Sequence, residues 1–177
     1  MYPRPDFQKL CFSKLKSAEE FRSTKNHLQQ FGKKIVFTNG CFDILHRGHL
    51  EYLMKAAEMG DHLVIGLNTD ASVKRLNKSP ERPINNEHTR AFQLGALWFV
   101  NTIILFDEDT PEILIREVEP DVLVKGGDYD AEEKNKQSKK FIIGSDFTME
   151  RGGKVVTIPL VEGYSTTSLI NKMKNNP

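Results

Sequence analysis

Apolar residues in this chain fall into short unbroken runs separated by amphipathic stretches. Lys34–Thr38, Leu63–Leu67, Thr102–Phe106, Val122–Val124 and Val155–Ile158 are rich in β-branched side chains and lack polar alternation. Runs of that length and kind predict strands buried on both faces. The stretches between them carry helical spacing. A helix is predicted over Arg47–Met59, with Leu50, Leu53, Met54 and Ala57 turned inward and Gly60 as its stop. A helical turn follows at Asp70–Leu76. A helix over Asn86–Phe99 offers Phe92, Leu94, Ala96, Leu97 and Phe99 to the core. Asp109 or Thr110 is expected to cap the next helix, with Pro111 in its first position and Pro120 at its close. Ser145–Glu150 predicts a short helix, and Ser165 or Thr166 caps a last one ending near Met173.

Two polar stretches predict loops. Asn77–Asn85 holds Pro80 and Pro83, and Glu132–Lys140 is a charged run expected to be solvated. Residues 1–32 read as a lead-in, in which Pro3 and Pro5 exclude a helical first turn and Ser17–Phe31 forms a polar helix stopped by Gly32. The main domain is then 33–177.

Strands that alternate with helices predict an α/β fold, doubly wound, with a parallel sheet of about five strands and helices on both faces. Such sheets bind ligands at the carboxyl ends of their strands, near the point where strand order reverses. That rule places Asn39–His49, Asn68–Asp70, Lys125–Asp128 and Gly163–Thr167 on one rim.

Composition narrows the class. A chain of 177 residues suits one domain, and 38% hydrophobic with 28% charged residues describes a globular protein. A formal net charge of +1 gives no reason to expect nucleic acid or an anionic membrane as partner. There is no apolar run of transmembrane length and no apolar signal segment at the N-terminus. Cys11 and Cys41 are the only cysteines, too few for a disulfide framework. The expectation is a soluble protein of the cytoplasm.

The segment Thr38–His49 carries the strongest chemistry. It joins a strand to a helix, and Gly40 allows a sharp turn close to a ligand. Unpaired amides at the helix start, with their partial positive charge, suit a phosphate. His46 and His49 are three apart and project from one helix face, with Gly48 leaving room for a bulky anion. The same histidines fit a surface pair or half a zinc site, but zinc needs more ligands and Cys41 is the loop's only cysteine. Asp43 suits magnesium or a turn. Neither a Walker-type phosphate loop nor a dinucleotide fingerprint is present, which argues against ATPase and dehydrogenase readings. Ser165-Thr166-Thr167 offers a second phosphate contact or an ordinary cap. Lys125-Gly126-Gly127-Asp128 faces the base or sugar, or is simply a tight turn. Lys78 and Arg90 are the basic residues singled out as phosphate contacts.

His46-Arg47-Gly48-His49 after the first strand and Ser165-Thr166-Thr167 before the last helix resemble the two marks of the cytidylyltransferase-like nucleotidyltransferase superfamily. Phe37–His46, Leu67–Leu76 and Val124–Tyr129 are similar to its D-glycero-β-D-manno-heptose 1-phosphate adenylyltransferase branch. The likeness runs from about Lys33 to Met173. It implies a Rossmann-like fold and transfer of AMP from ATP to the sugar phosphate, with Mg²⁺ held mainly by the phosphates. It implies His46, His49 and Arg90 as catalytic residues. ATP would be bound by Asn39, Gly40, Cys41, Phe42, Gly48, Asp128, Ser165, Thr166 and Thr167, with Asp43, Lys78 and Lys125 as further phosphate or sugar contacts. It also implies a homodimer, with a separate heptose kinase as metabolic neighbour of a stand-alone transferase. Leu160 stands where related cytidylyltransferases carry arginine, which disfavours CTP, and the loop Glu132–Phe141 is longer than the branch carries. The alternatives are a cytidylyltransferase for glycerol phosphate or a related alcohol phosphate, and a nucleotide-binding regulator without turnover.

Overall fold

The computed structural model describes residues 5–77, 80–127, 129–161 and 163–175. In chain order the elements are α1 (Phe7–Ser13), α2 (Ala18–Gln30), β1 (Ile35–Gly40), α3 (Arg47–Ala57), β2 (His62–Asn68), α4 (Asp70–Arg75) and α5 (Glu87–Gly95), followed by β3 (Thr102–Phe106), α6 (Glu112–Val118), β4 (Val122–Gly126), α7 (Ser145–Glu150), β5 (Lys154–Ile158) and α8 (Thr166–Asn175).

The five strands form one sheet in the order β3-β2-β1-β4-β5, and every pairing is parallel. The alternation of side chains along each strand splits the core in two. Val36, Leu63, Ile65, Leu67, Ile103 and Val124 point to the face covered by α3 and α5. Ile35, Phe37, Val64, Ile104 and Leu123 point to the face covered by α2 and α6. Strands sandwiched in this way have no solvated side, which is why their sequences lack polar alternation. The chain winds outward from β1 to β3, then returns to place β4 on the other side of β1, so strand order reverses between β1 and β4.

The predicted strands and helices are present, with corrections to their details. Helix α1 is an addition to the expected set; Asp6 caps it by accepting from the Lys9 amide, so the prolines before it do not prevent it. It crosses α5 closely enough that a Cβ on Gly95 would lie 2.6 Å from the Cys11 carbonyl oxygen. Helix α5 ends at Gly95 rather than Phe99, and Ala96 is exposed. Neither Asp109 nor Thr110 caps α6; Pro111 takes that position with no side-chain cap, and Asp109 is drawn instead to Arg75 Nε at 2.7 Å. The inward face of α3 is Tyr52, Leu53 and Ala56, with Met54 turned out. Polar partners make the burial of Tyr52 possible: its hydroxyl lies 2.5 Å from Thr38 Oγ1 and donates to the Val124 carbonyl. Burial pushes the phenol up to about 12.

The residues before β1 pack on the sheet. Lys16 N and Lys14 O bond to Ile103, and Phe21 is buried among Ile35, Val64 and Leu123. Ser17 and Glu20 form a reciprocal capping box at the start of α2.

Candidate active site

The β1 strand delivers its last residues, Asn39 and Gly40, to the rim where strand order reverses. The chain there must turn hard. Phe42 adopts a left-handed conformation at φ 45°, and its ring folds back to within 3.0 Å of where a Gly40 Cβ would stand. A side chain at 40 would press on that ring, which would have to shift by a few tenths of an ångström.

His46 is the N-cap of α3. Its Nδ1 accepts from the His49 amide at 3.3 Å, which leaves its Nε2 side free. The two imidazoles stack, with centroids 3.9 Å apart and planes 16° from parallel, and the Phe42 ring meets His49 edge-on at 5.4 Å. Gly48 lies close under the stack: a Cβ there would sit 3.2 Å from the His46 ring and 3.1 Å from Tyr164 Cβ. Burial lowers the His46 pKa. Burial, then the adjacent His46 and finally Arg82 push His49 down to about 4, against an opposing pull from the Ile44 backbone. Both rings are therefore neutral near pH 7, and a ring so stacked resists a second positive charge. His49 Nδ1 is buried and makes no well-formed hydrogen bond among the described residues.

The rings face a cleft of about 640 Å³. Asn39, Gly40, Cys41, Phe42, Gly48, Lys125, Ser165 and Thr166 line it, so most residues expected at the site are brought together. Lys125 donates to Asn39 Oδ1 at 2.8 Å and lies over the Tyr129 ring. Ser165 caps α8 by accepting from the Ser168 amide at 3.0 Å. Thr167 is exposed and is not part of the cleft wall. Asp128 and Lys78 lie outside the described residues.

Arg90 and Asp43 are placed differently from expectation. Arg90, expected near the triphosphate, is 0% exposed and lies behind the loop. Its guanidinium donates to the carbonyls of Asn85, Cys41 and Asn68 and to Asp70 Oδ1, at 2.7–3.0 Å. A guanidinium committed in this way holds backbone and has little left for a ligand. Asp43, a candidate for magnesium or phosphate, is also fully buried, and its carboxylate accepts from the Ile84 and Asn85 amides and from Arg82 Nε. It staples the 82–85 segment beneath the turn after β1.

Leu160 and Tyr164, both marked by the sequence, stand on the cleft wall, whereas Phe141 and the charged-loop residues Lys136 and Lys139 line it without having been expected there. The stretch Glu132–Lys140 is exposed as expected, but one side of it faces the cleft. Local polarity marks a loop and is silent on what the loop faces. No cluster of three or more metal-ligating side chains occurs among the described residues, so a divalent ion has no cage of protein carboxylates here. No described helix is long and apolar enough to cross a membrane.

Comparison with known proteins bears on this cleft. A family model described as cytidylyltransferase-like matches residues 37–172. The bifunctional protein HldE of Campylobacter jejuni subsp. jejuni serotype O:6 is 47% identical over 174 residues, covering 98% of this chain and 33% of that protein. HldE of a Nitratiruptor species is 48% identical over 161 residues, covering 91% of this chain and 32% of its own length. The chain thus spans about a third of the curated relatives it matches. A crystal structure of the lipopolysaccharide core biosynthesis protein from Thermoplasma volcanium GSS1 shares 29% identity and a TM-score of 0.55 over 76% of this chain and 100% of that one. The pantoate–β-alanine ligase of Francisella tularensis, at 13% identity and a TM-score of 0.56 over 90% of this chain and 76% of its own, shares the fold alone. With the match spanning the stacked histidines, the sheet and α8, the chain belongs to the cytidylyltransferase-like family.

Proposed function

We propose that this chain transfers AMP from ATP to D-glycero-D-manno-heptose 1-phosphate, giving ADP-heptose and pyrophosphate. The observation that carries the reading is the stacked, neutral histidine pair at the N-terminus of α3, set over a cleft that also takes in β4 and the start of α8. The HldE relatives and the heptose-branch likeness of the β1, β2 and β4 segments support the acceptor. Leu160 on the cleft wall, in place of a cationic side chain, supports ATP over CTP.

The chemistry needs no covalent intermediate. A phosphate oxygen of the sugar attacks the α-phosphorus, the bond from that phosphorus to the bridging oxygen breaks, and pyrophosphate leaves with the electron pair. Charge on the phosphoryl oxygens is spread between the attacking and leaving groups, so catalysis is positioning plus electrostatic stabilisation. His46 and His49 would donate imidazole N–H groups to the triphosphate, and the free amides at the start of α3 would add their partial positive charge. The Gly40–Phe42 backbone would run along the phosphates. Arg90 and Asp43 act as positioning residues that hold this turn in shape. Ser165 and Thr166 would contact the nucleotide from α8. Magnesium, which supplies charge neutralisation when bound, fits as an ion carried by phosphate oxygens and water, given the carboxylate-poor wall.

The test is product mass from a panel of nucleoside triphosphates incubated with heptose 1-phosphate and Mg²⁺. ADP-heptose with ATP is the expected result. Turnover with CTP and glycerol phosphate, and none with ATP and the heptose, would replace this reading with that of an alcohol-phosphate cytidylyltransferase.

A further inference from the structure

The loop between β4 and α7 is built rather than slack. Its base is closed by the Asp130 amide donating to the Lys140 carbonyl at 3.0 Å. Inside it, Asp130, Glu133 and Asn135 each accept from the amide two residues on, through side-chain oxygens at 2.9–3.0 Å. Ser138 accepts from the Lys140 amide and donates its own amide to Asn135 O. Lys136 pins the loop to α7 through Asp146 at 2.8 Å. Asp130 and Glu133 thus accept from amides of the loop itself. Ser138, Lys139 and Phe141 line the cleft. Lys139 has no hydrogen-bond or ion-pair partner among the described residues.

The cleft has two sides. Leu160, Val161, Tyr164, Ser165 and Thr166 form the one at β5 and α8; the loop, with Phe106, Asp109 and Pro111, forms the one at β3 and α6. Asp109, the only carboxylate among the described lining residues, is paired with Arg75. The histidines approach from the α3 face of the sheet, whereas the loop stands over the α6 face, where Ile142 packs with Ile115 and Leu114. In-line displacement places the entering and leaving oxygens on opposite sides of the α-phosphorus. If the histidines hold the pyrophosphate, the acceptor must enter from across the cleft, and the wall found there is this loop.

We propose that the Glu132–Phe141 loop is the acceptor-binding wall, with the Lys139 ammonium taking the phosphate of the incoming phosphate monoester. The proposal rests on the adenylyltransferase reading and goes further by naming the element that selects an anionic acceptor. Lys139 is a binding residue here, while Lys136 braces the loop.

The experiment is steady-state kinetics of wild type, Lys139→Gln and Lys139→Arg with ATP and heptose 1-phosphate varied separately, alongside thermal melts. A charge-assisted contact of this kind is worth about tenfold in binding. Lys139→Gln is expected to raise the acceptor KM about tenfold, leave the ATP KM within about twofold and leave the melting temperature unchanged, with Lys139→Arg close to wild type. An unchanged acceptor KM, or a rise in the ATP KM instead, overturns the assignment while leaving the adenylyltransferase reading intact. A wild type that releases no pyrophosphate with this acceptor overturns that reading, and the loop's role with it.

Discussion

The histidine pair and the Arg90–Asp43 framework lie on opposite sides of the same turn, and they differ in what their polar atoms have left to give. Arg90 and Asp43 are fully buried and have committed their hydrogen bonds to the protein. His46 and His49 sit at a helix N-terminus and line the cleft, and among the described residues His49 Nδ1 makes no well-formed hydrogen bond. Residue type would have assigned the arginine to the phosphates. Under the proposed function, uncommitted hydrogen-bonding capacity favours the histidines as the phosphate contacts, with the arginine as their scaffold.

The comparison is broken most directly by removing one member from each side. Asp43→Ala leaves the Arg82 guanidinium and two amides without their acceptor, and is expected to cost about 3–5 kcal/mol in urea denaturation, the scale for stranding a buried partner. Arg90→Ala strands three carbonyls and should fall in the same range. A loss under about 1 kcal/mol for both would show that the framework is dispensable. His49→Ala should do the reverse. Turnover drops by about 10²–10³, as for loss of one transition-state donor, while the melt stays close to wild type. A drop below about tenfold would remove His49 from the catalytic set.

Protonation sharpens the same contrast with a smaller effect. His49 and His62 are both held down to about 4, in each case first by burial. Their folded pKa values lie below the unfolded value near 6.5, so between those limits the unfolded chain binds more protons. The stability they allow is present above about pH 6.5 and is lost as pH falls toward about 4. Melting temperature should therefore drop across that window, and His62→Gln, far from the cleft beside Thr102 and Phe21, should flatten part of the slope. ATP should oppose only the His49 part, because a bound triphosphate stabilises the charged imidazole. A slope untouched by either histidine substitution would refute this account.

What the sequence disclosed follows the range of the interactions involved. β3 and α7 have the boundaries their residues predict, because a short apolar run between polar breaks is a local signal. The turn after β1 and the helix start at His46 are equally legible, being set by a glycine and a cap within a few residues. Arg90 is misplaced by a sequence reading because its partners Cys41 and Asn68 are 49 and 22 residues away in sequence. Tyr52 is left off the inward face of α3 for the same reason, since only Thr38 and Val124 make a buried phenol tolerable. The cleft-facing side of Glu132–Lys140 is set by its bracing to α7, which no local pattern of charge encodes.

Cys41 supplies the smallest effect and the finest distinction. It lies in the turn after β1, lines the cleft and carries a potential nucleophile. Yet the turn depends on its backbone: the Cys41 carbonyl accepts from Arg90 at 2.8 Å, whereas its thiol reaches only Asn68 Oδ1 at 3.8 Å. Direct attack by the acceptor gives the sulfur no bond to make. Cys41→Ser preserves the backbone and the volume, so kcat and both KM values should stay within about twofold of wild type, the scale of a neutral substitution. Complete loss of turnover in folded Cys41→Ser protein, with ATP still raising its melting temperature, would mean that the nucleotide passes through the thiol. In that event the division between committed framework and free phosphate donors would have missed the reacting atom itself.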